Sequence, residues 1–142
     1  MSRSEAWFSH ATNLVVGGSG LVYAWMLYLC EPTDEFSIVN HPWQPDLQHI
    51  HVLAAPFAVF ALGLIWVRHV WTRVRNGHPT RRKTGLILAA AAWPMITSGY
   101  AIQVSVDPAW RDAWIWVHLI ASFVWVPIYL IHQLGPRGQA TD

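Results

Sequence analysis

Charge is what this chain has least of. Only 12% of its 142 residues are Asp, Glu, Lys or Arg, about half of the roughly 25% usual in a soluble domain. The shortage is also uneven. Residues 6–30, 47–67, 84–106 and 113–136 contain no charged side chain. Each window reaches the ~20 residues a helix needs to cross the hydrocarbon core of a bilayer. That excludes an ordinary water-soluble domain. It predicts an all-α, up-down bundle of four transmembrane helices, a single integral-membrane domain over 1–142 with spans at about 7–30, 47–70, 84–106 and 113–134. Cysteine is almost as scarce. Cys30 stands alone, which excludes an internal disulfide and any Cys-x-x-Cys-His attachment motif. Arg3 ahead of an apolar run fits a secretory signal, but no small-x-small cleavage site precedes Cys30, so the first span is read as permanent.

The few charges present are sorted by sign. Arg3, Arg68, Arg73, Arg75, Arg81, Arg82, Lys83 and Arg137 fall on one side of the predicted spans. On the other side only Arg111 is basic, among Glu31, Asp34, Glu35, Asp46, Asp107 and Asp112. This asymmetry predicts both termini and the Arg-rich middle loop in the cytoplasm, with the two acidic loops outside. The basic cluster is accounted for by topology and anionic lipid; nucleic acid is not an expected partner. Three prolines, Pro32, Pro42 and Pro45, predict an extended first outer loop. Asn76-Gly77-His78-Pro79 reads as a turn, and Gly135-Pro136 ends the fourth span.

Against this apolar background the histidines stand out. His118 and His132 are fourteen residues apart in the fourth span, about 21 Å of helical rise and about 40° short of four whole turns. Both imidazoles therefore leave one face, one near each end of the span. Ionisable groups inside a membrane are costly and usually functional, and neutral imidazole is a common axial ligand of haem iron. Alternating span directions put His51 at the outer level with His118, and His10 at the inner level with His132. Two bis-histidine sites for two b haems follow, stacked across the membrane in a bundle core. Sites without an open ligand position suit electron transfer.

Two alternatives stay open. His49 and His51 are about 200° apart on a helix, so at most one faces the bundle. His51 is followed by Ala54, Ala55 and Ala58 on its own face, a track open to a flat macrocycle. His69 competes with His10, lying on the face of His51 eighteen residues on, although its neighbour Arg68 draws it toward the headgroups. Thr12 or Asn13 is expected to help hold the second ring nitrogen of His10. Trp125, midway between His118 and His132, reads as packing between two layers. Thr97, Ser98 and Gly99 either let the third span approach a macrocycle or simply allow close helix contact. His41, Trp43 and Gln44, in the string His41-Pro42-Trp43-Gln44-Pro45, are candidates for a quinone or partner site.

A histidine early in the first span, one on the second, Thr/Ser-Gly on the third and two histidines fourteen apart on the fourth resemble the bacterial four-helix di-haem cytochrome b group. That group includes membrane subunits of formate dehydrogenases and nickel-iron hydrogenases. The resemblance runs over residues 7–133. It implies His10 with His132 at a cytoplasmic-side haem, and His51 with His118 at an outer-side haem. It further implies an inner-membrane electron-transfer subunit linking the quinone pool to a redox protein on the outer, periplasmic side. The rival expectations are a haem-free membrane scaffold or anchor, and a small metal-handling membrane protein using His41, His49 and His51.

Overall fold

The computed structural model describes residues 2–77 and 81–135, and among these there is no strand. Four helices are long and apolar enough to cross a membrane: Arg3–Leu29, Gln44–Arg75, Arg82–Val104 and Pro108–Leu134. The first is α1. The second comprises α2 (Gln44–Ile65), a π-helical turn (Trp66–Trp71) and the short α3 (Thr72–Arg75). The third and fourth are α4 and α5.

Local chemistry sets the ends. Ser2 and Glu5 form a capping box at the start of α1. Ser2 Oγ accepts from the Glu5 N–H at 3.1 Å, and Glu5 Oε2 accepts from the Ser2 N–H at 2.7 Å. Two orphan donors of the first turn are thereby satisfied. The second helix begins three residues before the predicted span, because Pro45 sits in its first turn, where a missing N–H costs no helical bond. The expectation of an extended proline loop is corrected accordingly. Ser37 N–H bonds the Asp34 carbonyl at 3.2 Å and Gln44 N–H bonds that of His41 at 3.0 Å, so the segment is made of turns. Pro108 opens α5 in the same way, beside Asp107, whose carboxylate accepts from the Trp110 N–H at 3.0 Å. Gly77, at φ +62°, takes a left-handed conformation just after Asn76 bonds back to the Thr72 carbonyl. His78, Pro79, Pro136 and Arg137 lie outside the described residues.

The chain divides into two compact units, residues 1–68 and 69–142. In the first, α1 and α2 are antiparallel. Glu5 meets Arg68 at 3.6 Å, the Phe8 ring lies 6.2 Å from that of Phe60, and Ser19 reaches His51. In the second, α4 and α5 are antiparallel as well, with Arg81 on Gly135, Thr84 on His132 and Ser98 on His118.

Small side chains make the seams. The buried residues are Ser9, Thr12, Ser19 and Met26 on α1, Ala61 on α2, Ala92 and Ser98 on α4, and Ala121 on α5. All but Met26 are small, which lets two backbones approach closely, the usual basis of helix pairing in lipid. Large apolar side chains turn outward: Leu14, Leu53, Trp93 and Phe123 are each about two-thirds exposed or more. In water such a surface is a liability; against acyl chains it is a match. The chain has the surface of a multi-pass membrane protein.

Candidate functional site

His51 on α2, and His118 and His132 on α5, meet one repeated feature on the helix packed against them. It is a hydroxyl residue followed by glycine: Ser19-Gly20 for His51, Ser98-Gly99 for His118 and Thr84-Gly85 for His132. The hydroxyl oxygens lie 3.3, 3.1 and 2.8 Å from the respective Nδ1 atoms. Each hydroxyl spends its own proton on the carbonyl three residues back: Val16 at 3.1 Å, Met95 at 3.1 Å and Arg81 at 3.0 Å. A hydroxyl has only one proton to give. Its oxygen therefore accepts from the ring, and Nδ1 is the donor.

For His51 and His118 a second acceptor agrees. The Val16 carbonyl lies 3.0 Å from His51 Nδ1, and the Met95 carbonyl 3.1 Å from His118 Nδ1. A carbonyl can only accept. The neutral rings of His51 and His118 thus carry the proton at Nδ1 and the lone pair at Nε2, and the Thr84 hydroxyl, when its proton is on the Arg81 carbonyl, sets His132 the same way. That tautomer is the one an imidazole adopts when it ligates a metal through Nε2 and is held in orientation through Nδ1.

The glycines make room for the rings. A Cβ on Gly20 would lie 2.8 Å from His51 Cε1 and 3.0 Å from its Nδ1; at Gly99 and Gly85 the nearest ring atoms would be 3.3 and 3.4 Å away. Two antiparallel helices with a common rise keep register. The seats on α4, fourteen residues apart, therefore match the histidines fourteen apart on α5. Both α5 rings face α4 through Nδ1.

The other predicted residues are placed differently. His49 is exposed, two residues from the seated His51. His10 is half-buried on α1, edge-on to the Trp7 indole at 6.4 Å. Thr12 Oγ1 donates to the carbonyls of Phe8 and Ser9, and Asn13 Nδ2 donates to that of Ser9. His69 sits in the π-helical turn, where the charge of Arg73 reaches it. Arg68, beside it, pairs with Glu5 in the first turn of α1, five residues or about 7.5 Å before His10. Trp125 is half-buried on α5. His10 and His51 belong to the first unit, and His69, His118 and His132 to the second. Among the described residues no three of His, Cys, Asp and Glu converge as a metal-ion cluster, so the metal-handling expectation for His41, His49 and His51 finds no such site.

Near His132 the surroundings are cationic. Arg73 and Arg81 stand close enough for their charges to act on its ring. Arg81 donates from its guanidinium to the Gly135 carbonyl, while its buried Nε has no hydrogen-bond partner among the described residues. A buried donor left in this state costs about 1–3 kcal/mol, and a carboxylate brought beside it would supply the missing acceptor.

Thr84-Gly85 and Ser19-Gly20 were not assigned to the histidines from the sequence. One signal was present, because Thr84-Gly85 precedes Ser98-Gly99 by the same fourteen residues that separate His118 from His132. Threonine 84 also carries more weight than serine 98. It is the one Nδ1 acceptor described for His132, whereas His118 keeps the Met95 carbonyl if Ser98 is lost. Were His132 a metal or cofactor ligand, Thr84→Val would weaken retention there by about 10- to 100-fold. Ser98→Ala should change retention at His118 far less. Cofactor titration of the two purified variants checks this ordering.

Comparison of the chain with known protein families, curated proteins and solved structures finds no match.

Proposed function

We propose that this chain is a b-type cytochrome that relays electrons across a membrane through two haems, one held by His51 and His118, the other by His10 and His132. The observation that carries the proposal is the repeated hydroxyl-glycine seat. Three histidines on membrane-crossing helices have Nδ1 engaged by a hydroxyl of the helix packed against them. A histidine buried only for packing has no need of the same seat three times.

The residues fit the group on three counts. Neutral imidazoles are the donors low-spin haem iron takes. The glycines leave the rings upright where a Cβ would crowd them. The unpartnered Arg81 Nε suits a carboxylate such as a haem propionate. When bound, haem supplies a one-electron ferric–ferrous couple. The chain's own groups do the rest. Ser19, Ser98 and Thr84 hold the rings of His51, His118 and His132 in orientation, paired imidazoles would hold the haem, and lipid-facing Leu, Phe and Trp exclude water.

A second assignment for the His132 site has its own support. His69 and His132 belong to the same compact unit, which makes His69 the other candidate for the ligand opposite His132. Against it stands depth, since Arg68 pairs with Glu5 at the very start of α1.

In this proposal the basic side of the chain faces the cytoplasm of a bacterium, and the protein resides in the inner membrane. It acts as an electron-transfer subunit of an oxidoreductase, between quinone and a redox protein outside. A haem-free anchor is the alternative. A reduced-minus-oxidised absorption spectrum of the purified protein separates them: the proposal expects the sharp bands of low-spin b haem, and a featureless difference spectrum rejects it.

A further inference from the structure

Residues 4–67 contain no Lys or Arg, yet the segment joining α1 to α2 carries Glu31, Asp34 and Glu35. All three carboxylates are exposed. The one ion pair among the described residues, Glu5 with Arg68, stands at the opposite end of α1. The negative charge of this segment is left unanswered by the chain around it. The same segment holds two large apolar side chains into open space, Phe36 at 92% exposure and Ile38 at 98%. Exposed Leu, Phe and Trp on the helices lie mostly in windows without charge, where acyl chains match them. Phe36 and Ile38 lie outside those windows, directly after Glu35.

Their posture is fixed by the backbone. Asp34 Oδ1 accepts from the Phe36 N–H at 2.9 Å, and the Asp34 carbonyl accepts from the Ser37 N–H at 3.2 Å. Ser37 Oγ donates to the Val39 carbonyl at 2.7 Å. Asn40 then ties the segment down, with Nδ2 donating to the Leu27 carbonyl of α1 at 2.8 Å and its N–H donating to Gln44 Oε1 at 3.0 Å. A tip fastened in this way has little freedom left to lose on association.

We infer that residues 31–40 dock a second protein, one that offers an apolar recess to Phe36 and Ile38 inside a rim of Lys and Arg. An apolar and aromatic centre with polar groups around it is the usual anatomy of a protein interface. Carboxylates beside the anchors steer toward a basic partner and against an acidic one. The same charges oppose the two other occupants. Laying Phe36 and Ile38 into lipid would carry three carboxylates toward the hydrocarbon with no cation beside them. A second copy of this chain would bring identical carboxylates face to face. The inference stands apart from the haem assignment, since nothing at this surface needs a cofactor.

The test is site-specific photocross-linking. p-Benzoylphenylalanine replaces Phe36 in the full chain, expressed in its own cells, and the adducts are identified by mass spectrometry. The expected adduct is one protein, joined at a segment flanked by Lys or Arg. Glu31 and Glu35 make none of the hydrogen bonds that hold the tip, so Glu31→Lys with Glu35→Lys reverses the charge and leaves the turn intact. That pair of changes should lower the yield about tenfold, the low end of what electrostatic steering supplies. Changing the joined protein's flanking basic residues to Glu should restore the yield, which separates lost complementarity from misfolding. Ile38→Ala, with the carboxylates kept, should lower it too. Adducts with lipid alone, or with a second copy of the chain, would overturn the inference. So would no adduct, a protein adduct indifferent to the charge reversal, or a loss that the reciprocal change does not restore.

Discussion

Replacing His118 by alanine should remove one haem per chain and leave the other low-spin, and His132→Ala should remove the complementary one. The two positions are about 21 Å apart along α5, and each has its own seat on α4, Ser98-Gly99 and Thr84-Gly85. No Nδ1 partner is shared between them, so emptying one leaves the orientation of the other intact. The expected effect is large because a six-coordinate site that loses one imidazole loses its closed coordination altogether. His51→Ala should reproduce the spectrum of His118→Ala, and His10→Ala that of His132→Ala. Haem content and low-temperature electron paramagnetic resonance, measured on all four variants, report both the number and the identity of the low-spin centres. Two unchanged low-spin signals in either α5 variant contradict the shared-helix arrangement. If His69→Ala pairs with His132→Ala instead of His10→Ala, the second membrane-crossing helix supplies a ligand to each haem.

Gly20→Ala should be nearly as damaging as loss of His51 itself, although it adds one methyl group. The new Cβ would stand 2.8 Å from His51 Cε1, closer than real Cβ contacts allow. The ring has little freedom to yield, because its Nδ1 is held by both Ser19 Oγ and the Val16 carbonyl. Either the imidazole leaves its seat and gives up those bonds, or α1 and α2 separate. Overpacking of this kind costs on the order of 1–3 kcal/mol, and here it falls on the orientation of one ligand. Gly99→Ala, at 3.3 Å, should be milder, and Gly85→Ala, at 3.4 Å, milder still. Gly18→Ala meets nothing within 4 Å and should leave both sites untouched. Haem retention measured across this graded set checks the seat model. Equal tolerance of alanine at positions 18 and 20 would show that the close approach does not matter.

The four apolar helices were legible because charge is excluded from whole windows, a signal that survives any detail of packing. Their ends were less so. Pro45 reads as a loop residue in isolation, yet the first turn of a helix tolerates proline at no cost. The continuation of the second helix through Trp66–Trp71 depends on a π-helical turn, for which the sequence carries no plain mark.

Among the candidate ligands, the spacing of His118 and His132 identified a face, and the structure places both rings against α4. The distinction between His49 and His51 followed from the alanine track after His51, and only His51 is seated. The seats themselves were hidden, because Ser-Gly and Thr-Gly pairs in membrane helices usually signify close packing alone. What gives them meaning is the histidine opposite, and that requires knowing the register of two helices. The expected support of His10 by Thr12 and Asn13 shows the converse difficulty. Proximity in sequence put those groups near the ring, and the Ser9 carbonyl, three or four residues back along the helix, accepts from both side chains.

The count of haem per chain tests the account most directly. Pyridine haemochrome analysis against protein concentration, on the full chain purified in detergent, should give two b haems per polypeptide. A value near zero would contradict the cytochrome assignment outright, leaving the three hydroxyl-glycine seats without a cofactor to serve.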